Sequence, residues 1–350
     1  MKTITVNTAS SYNVYVAAGL MTQLSKFLSC NAPGQKVVVI SDSNVWPLYG
    51  YQMLDQLNQL GFASFHYEFP AGEQQKCANT YLSIVEYLAS IHFTRSDMLI
   101  ALGGGVVGDL TGFIAATYLR GVSYIQVPTS LLAMVDSSVG GKTAIDLNAG
   151  KNLIGAFYQP TMVICDTSAL STLPSDIFRD GCAEVIKYGV LFDEALFSHL
   201  ETNGLDFDAE YVISRCIELK RDVVTIDEFD RGERQKLNLG HTFGHGIEAK
   251  SNFSITHGQA VAIGTAIVSK VSYHLGHCDA DTVSKIRNIL RKFTFKLDSP
   301  YLCEEICPYV LSDKKRSGSS VNLIVPESIG KCNIISFPVE EIPSIIEAGL

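Results

Sequence analysis

The sequence predicts an α/β fold in two domains, a mostly parallel sheet over residues 1–173 and a mainly α-helical part over 174–350. Three observations carry this. Short apolar runs rich in Val and Ile alternate with amphipathic stretches through the first half, the pattern of βαβ units. The alternation stops after Leu173-Pro174, and long amphipathic stretches follow. The 350 residues are 47% hydrophobic and 18% charged, enough apolar material for two cores.

In order, residues 36–42 (KVVVISD) read as a strand ending in a turn, 45–60 as an amphipathic helix closed by Gly61, and 62–69 as a second strand. A helix follows over 80–92, a buried strand over 98–102, a helix over 106–119, and a strand over 122–127 ended by Pro128. In the second half, helical periodicity runs through 175–200, 211–225, 240–249 and 257–275.

Bulk properties exclude several classes. A formal net charge of −9 argues against general nucleic-acid binding, which needs clustered Lys and Arg. The start, MKTITVNTASSYNVYV, lacks the apolar segment and cleavage site of a secretory signal. No apolar stretch reaches the roughly 18 residues that span a bilayer. Nine cysteines, an odd number without CxxC spacing, fit a reducing compartment better than a disulfide framework. The expectation is a cytoplasmic protein with neither nucleic acid nor membrane as partner.

The first motif is GGGVVGD, residues 103–109, directly after the apolar run 98–102. Gly103, Gly105 and Gly108 fit G-x-G-x-x-G, and in an open parallel sheet ligands sit at the carboxyl ends of strands. The turn is therefore a candidate nucleotide site. A Rossmann fingerprint would place an acid about 20 residues on. This chain has VPTS there and no acid until Asp136. Gly140-Gly141-Lys142-Thr143 ends like a Walker A loop, but that loop needs Gly at 136, so a nucleoside triphosphatase is rejected. Lys142, and Lys151 in GKN, can still hold a phosphate as point charges. The plainer reading of each is a solvated loop lysine.

The second half supplies metal-ligand chemistry. His241 and His245 stand at i and i+4 on one helix face, His257 opens the next helix, and Glu184 lies on an otherwise apolar helix. Imidazoles plus one carboxylate suit a zinc-like divalent ion and leave a position open for substrate. Spacing alone pairs His241 with His245. Lys187 follows Glu184 by one turn among Val185, Ile186 and Tyr188, and a buried lysine needs an anionic partner or loses its charge.

Taken in order, GGGVVGDLTGFIAATYLRG, VPTSLLAMVDSSVGGKTAID, GKNLIGAFYQP, AEVIKYG, LNLGHTFGHGIE and HGQAVAIG resemble the 3-dehydroquinate synthase family of sugar-phosphate cyclases, over nearly the whole chain. The resemblance implies conversion of 3-deoxy-D-arabino-heptulosonate 7-phosphate to 3-dehydroquinate and phosphate, with NAD and a divalent metal, zinc or cobalt. It implies transient oxidation at C5, elimination of phosphate, reduction, ring opening and an intramolecular aldol. It implies too that the leaving phosphate itself can take the C6 proton, so that no strong side-chain base is required.

Residue by residue, the resemblance implies Glu184, His241 and His257 as metal ligands and moves His245 to the substrate. It places Gly104, Gly105, Val106, Val107, Gly108 and Asp109 on the NAD pyrophosphate and nicotinamide, Asp42 and Asn44 near the adenosine half, and Glu73 and Lys76 on its ribose. Thr129, Ser130, Lys142, Lys151, Leu170, Thr172 and Leu173 complete the cofactor positions. Asp136, Lys142, Asn152, Lys187, Lys220, Arg234, Asn238 and His245 match substrate positions, and Lys314 or Lys315 a further phosphate contact. Arg120 matches an arginine that reaches a neighbouring subunit's site, which implies a homodimer. Ala71, Ser130 and Gln259 depart from the family pattern, and Gln259 removes a possible carboxylate partner for a metal-bound His. An inosose- or valiolone-forming cyclase would share the scaffold. So would a metal-dependent polyol dehydrogenase, which has no use for the lysines, and a non-catalytic relative, against which the intact ligand set argues.

Overall fold

In the computed structural model, which describes residues 1–32, 34–312, 316–317 and 319–350, one sheet organises the first of two units. Its strands are β1 (Lys2–Val6), β2 (Tyr12–Ala17), β3 (Lys36–Asp42), β4 (Ala63–Phe69), β5 (Met98–Gly103), β6 (Ser123–Pro128) and, after an intervening hairpin, β9 (Met162–Asp166). The hairpin pairs β7 (Lys142–Leu147) with β8 (Gly150–Phe157). The sheet order is β1-β2-β9-β6-β5-β3-β4, parallel throughout except for the antiparallel β1–β2 pair. Interior strand β3 is buried at five successive positions, which is why its sequence is a continuous apolar run rather than an alternation. Helices α1 (Tyr51–Gln59), α2 (Ala78–Ser90) and α3 (Gly105–Thr117) connect the parallel strands.

The expected elements over 36–127 are present with small shifts at their ends. The 45–60 stretch differs more: a wide π-type turn over Trp46–Gly50 precedes α1, with Pro47, which lacks an N–H, in its first turn. The segment holding Lys142 and Lys151 is ordered as the β7–β8 hairpin, where the sequence suggested loops.

The second unit contains α4 (Ser175–Phe192), α5 (Glu194–Asn203), α7 (His241–Lys250), α8 (His257–His274), α9 (Ala280–Lys292), α10 (Cys303–Ser312) and α11 (Ile342–Gly349). The expected 175–200 helix is split because the Asp193 carboxylate accepts the Leu196 N–H at 3.0 Å and starts a new helix. A small antiparallel sheet, β10 (Arg316–Ser317), β11 (Ser320–Ser328) and β12 (Lys331–Pro338), joins these helices. Residues 260–269 of α8 are buried without interruption, in keeping with small and apolar residues on every face.

One helix departs from a simple halving of the chain. α6 (Ala209–Ile226) belongs with Met1–Pro174, while Ser175–Asp208 and Asp230–Leu350 form the other unit. Its buried stripe Val212, Ile213, Cys216 and Ile217 packs toward β1, and Lys2 Nζ meets Glu218 at 2.6 Å. Amphipathic periodicity shows that a helix has an apolar face but not which core receives it. All nine cysteines are free. Among the described residues no helix is long and apolar enough to cross a membrane.

Candidate active site

The glycine turn sits where β5 runs into α3. Proximity constrains two of its glycines: a Cβ on Gly103 would lie 2.5 Å from Val107, and one on Gly108 2.8 Å from the end of the Gln126 side chain. Val107 is fully buried against the sheet, so it offers a ligand its backbone only. The first-turn N–H groups of α3 have no carbonyl to reach inside the helix, and such an end accepts an anion.

Charged side chains gather beside this turn. Lys76 Nζ is 2.8 Å from Asp109 Oδ2 and 3.8 Å from Glu73, and Lys151 Nζ is 3.7 Å from Glu73. Burial opposes the Lys76 charge, but Asp109 and Glu73 outweigh it and push its pKa up. Asp42 shapes its own loop, its Oδ1 accepting the N–H groups of Asn44 at 2.9 Å and Val45 at 3.1 Å. The Tyr49 hydroxyl bonds to Thr172, tying the loop after β3 to the turn that carries Leu170, Thr172 and Leu173. Thr129 donates its N–H to the Gly103 carbonyl at 3.0 Å, and Ser130 Oγ accepts the Ala133 N–H at 3.3 Å. Lys220 Nζ donates to the Asp136 carbonyl oxygen at 2.6 Å and pairs with its carboxylate. Lys142 and Asn152 are exposed on the hairpin.

In the second unit, close helix packing assembles the histidines. Gly240 holds the left-handed φ of +76° immediately before α7. A Cβ on Gly264 of α8 would lie 2.0 Å from the Gly240 carbonyl oxygen, and one on Gly244 of α7 2.9 Å from that of Ala260. Only residues without side chains let α7 and α8 approach this far. The start of α8 is held against α4 in the same way. A Cβ on Gly258 would lie 2.0 Å from the Asp180 carbonyl oxygen, while the Asp180 carboxylate accepts from the Thr256 hydroxyl and, at 3.1 Å, from the Gln259 N–H.

The result brings Glu184, His241 and His257 within one potential coordination sphere. Glu184 Oε1 lies 3.3 Å from His241 Nε2 and 3.3 Å from His257 Nε2, and its other oxygen pairs with Lys187. Lys187 is 1% exposed, so the buried lysine has the anionic partner its neighbours demanded. A tetrahedral zinc ion with bonds of about 2.0–2.1 Å separates adjacent ligand atoms by about 3.3 Å, so the spacing fits.

The hydrogen bonding fits as well. His241 Nδ1 faces the Leu239 carbonyl at 3.0 Å, which places the ring proton there and leaves the Nε2 lone pair facing a carboxylate oxygen. A cation between them resolves that repulsion. Burial lowers the His241 pKa to about 3, keeping the ring neutral. Partial burial opposes protonation of His257, but Glu184 and Glu248 on either side raise its pKa to about 10. The cluster is thus a field that favours a cation, and a metal would displace the His257 proton. His245 falls outside this set; it gathers with Glu248 and the other face of His257.

Comparison with known proteins agrees with this geometry. The 3-dehydroquinate synthase N-terminal family model matches residues 66–180, and the 3-dehydroquinate synthase C-terminal model matches 181–316. The 3-dehydroquinate synthase of Clostridium acetobutylicum is 43% identical over 95% of this chain and 96% of its own. That of Vibrio atlanticus is 44% identical over 96% of this chain and 95% of its own. The chain belongs to the 3-dehydroquinate synthase family. Among solved structures, a 2-deoxy-scyllo-inosose synthase complexed with carbaglucose-6-phosphate, NAD+ and Co2+ is similar over 100% of both chains, with a TM-score of 0.89 and 25% identity.

Within this 3-dehydroquinate synthase family scaffold, Glu248 is the residue that spacing and resemblance both missed. Its Oε2 lies 3.4 Å from His257 Nδ1, the position of a carboxylate that orients a metal-bound imidazole. The departure at Gln259 therefore takes no partner from His257. The Gln259 side chain instead joins both backbone groups of Lys296, donating at 2.7 Å and accepting at 3.2 Å. Glu248→Ala is expected to weaken metal binding about 10–100-fold, read by competition against a chelator. Wild-type affinity would assign Glu248 to packing alone. Lys314 and Lys315 lie outside the described residues.

Proposed function

We propose that this chain converts 3-deoxy-D-arabino-heptulosonate 7-phosphate to 3-dehydroquinate and phosphate, using NAD and a divalent metal, zinc or cobalt. The observation that carries the reading is the Glu184–His241–His257 cluster, at metal-ligand spacing in a chain 43% identical to a curated 3-dehydroquinate synthase across 95% of its length. A sister cyclase making an inosose is the second reading, since such an enzyme shares the fold at 25% identity. The higher identity to the synthases favours the heptulosonate substrate.

NAD, when bound, supplies the transient oxidation and the metal supplies Lewis acidity at the substrate oxygens. The chain's own residues hold and orient. Glu184, His241 and His257 would hold the metal, three protein ligands that would leave room for a substrate oxygen. The α3 amides hold the cofactor pyrophosphate, and Glu73 and Lys76 hold the adenosine ribose. Asp42, Asn44, Asp109, Thr129, Ser130, Lys151, Leu170, Thr172 and Leu173 bound the rest of the cofactor.

In the first unit Lys142 and Asn152 take the substrate phosphate, and Asp136 with Lys220 contacts the carbon chain. In the second, Lys187, Arg234, Asn238 and His245 do the same work. The Lys187–Glu184 pair fixes a cation beside the ligand set without leaving net charge buried. With the phosphate removing the C6 proton itself, the side chains contribute mainly placement. The homodimer rests on the match of Arg120, which is exposed on the turn after α3, to an arginine that reaches a neighbouring subunit's site.

Phosphate release from the heptulosonate phosphate, run beside glucose 6-phosphate with NAD and zinc and after chelation, tests the reading. Release from the heptulosonate alone, lost on chelation, is expected. Release only from glucose 6-phosphate would move the chain to the sister cyclases.

A further inference from the structure

The tip of the β7–β8 hairpin touches two groups of residues to which the proposed function gives different jobs. We propose that Asp146 is a positioning residue that couples cofactor binding to the placement of Asn152, and through it to substrate affinity. The inference rests on the assignment of Glu73, Lys76 and Lys151 to the cofactor and of Asn152 to the substrate.

Two hydrogen bonds meet at Asp146, and both are short. Its N–H donates to the Lys76 carbonyl at 2.7 Å, within an isolated bridge that sets Asp146 beside Cys77. Its carboxylate accepts the backbone N–H of Asn152 at 2.7 Å. Asp146 also sits at the irregularity where the hairpin register slips between Ile145 and Leu147, a device that re-aims side chains. Asn152 holds φ at +55°, left-handed for a residue that is not glycine, so its direction depends on the bond that holds it there.

The link continues on both sides. Lys76 is anchored to Asp109 at the end of the glycine turn, at 2.8 Å. Lys151, next to Asn152, returns to Glu73 at 3.7 Å. A nucleotide that orders Glu73, Lys76 and Asp109 therefore orders the backbone that carries Asn152. By linkage the two ligands strengthen each other by the same factor. The role needs an acceptor oxygen at position 146, not a charge.

Hydrogen–deuterium exchange on the full chain, with and without NAD, tests the coupling before any substitution. Slower exchange at 103–109 together with 146–153 is expected. Slowing at 103–109 alone overturns the coupling and leaves the cofactor assignment standing, whereas no slowing at either overturns both. Kinetics then assign the residue. Asp146→Ala is expected to lose the protection at 146–153 and raise KM for the heptulosonate phosphate about tenfold, with kcat changed by less than about threefold. Asp146→Asn keeps an acceptor and is expected to stay within about twofold of the wild type in KM. Wild-type KM in Asp146→Ala, or equal impairment of both variants, would overturn the proposal. If Asp146→Ala does not fold, the exchange result in the wild-type chain decides.

Discussion

Replacing Glu184 with Gln is expected to cost the protein its metal and its activity together. Glu184 is the only carboxylate of the ligand set, and its Oε1 faces both imidazoles at 3.3 Å. A neutral amide removes the charge that offsets a divalent ion. Turnover is expected to fall about a thousandfold, the equivalent of several kcal/mol of lost Lewis-acid stabilisation.

The same change takes the carboxylate partner from Lys187, and breaking a buried pair costs about 3–5 kcal/mol. His257→Ala separates the two effects, because it removes a ligand without removing either member of that pair. Elemental analysis after dialysis and phosphate release read both variants. Full metal occupancy in Glu184→Gln would remove it from the ligand set. Mixing Glu184→Gln with Arg120→Ala extends the test. If Arg120 serves a neighbour's site, mixed dimers hold one intact site each, and about a quarter of wild-type activity returns. No recovery would leave Arg120 without a role across an interface.

Gly264→Ala is expected to destabilise the second unit strongly through a single added methyl group. Its Cβ would lie 2.0 Å from the Gly240 carbonyl oxygen and 2.8 Å from the Gly244 nitrogen, whereas ordinary contact begins at 3.4 Å. Both obstacles are backbone, so no rotamer relieves them, and α7 must shift away from α8 by more than an ångström. Overpacking of this kind costs about 3 kcal/mol, a fall in melting temperature of about 6–12 °C. The shift also parts His241 from His257, so metal affinity should fall with stability. Thermal melts with and without zinc measure both, and a wild-type melting curve would show that the helices have room to give.

The glycine turn, the strands on either side of it and the Glu184–Lys187 pair were legible because each leaves a local mark. A buried parallel strand is a run of apolar residues, and a buried lysine is flanked by them. β1 and β2 left a weaker mark. Their polar Thr, Asn and Tyr positions alternate with apolar ones, as half-buried strands do, without an apolar run to draw the eye. The hairpin could not be told from a loop, since its partner strand is exposed along most of its length.

In the metal cluster, i and i+4 spacing correctly puts His241 and His245 on one face of α7. What it cannot show is the neighbour that face meets, and Gly240, Gly244 and Gly264 decide that. Glu248 was recoverable in principle, seven residues after His241 on the same helix face. Asp146 was not, because its contact with Lys76 spans 70 residues of sequence and uses backbone atoms.

The placement of α6 has a consequence for handling the chain. The polypeptide leaves the first unit after Pro174, comes back for Ala209–Phe229, and departs again, so the backbone is stitched through both units by three passages. A fragment cut at the end of the sheet-bearing half would carry Asp136 without Lys220 and β1 without its covering helix. Such a fragment exposes an apolar seam and invites aggregation. Reassembly from two separately expressed halves would need either that helix grafted onto the first half or cut sites on both sides of it.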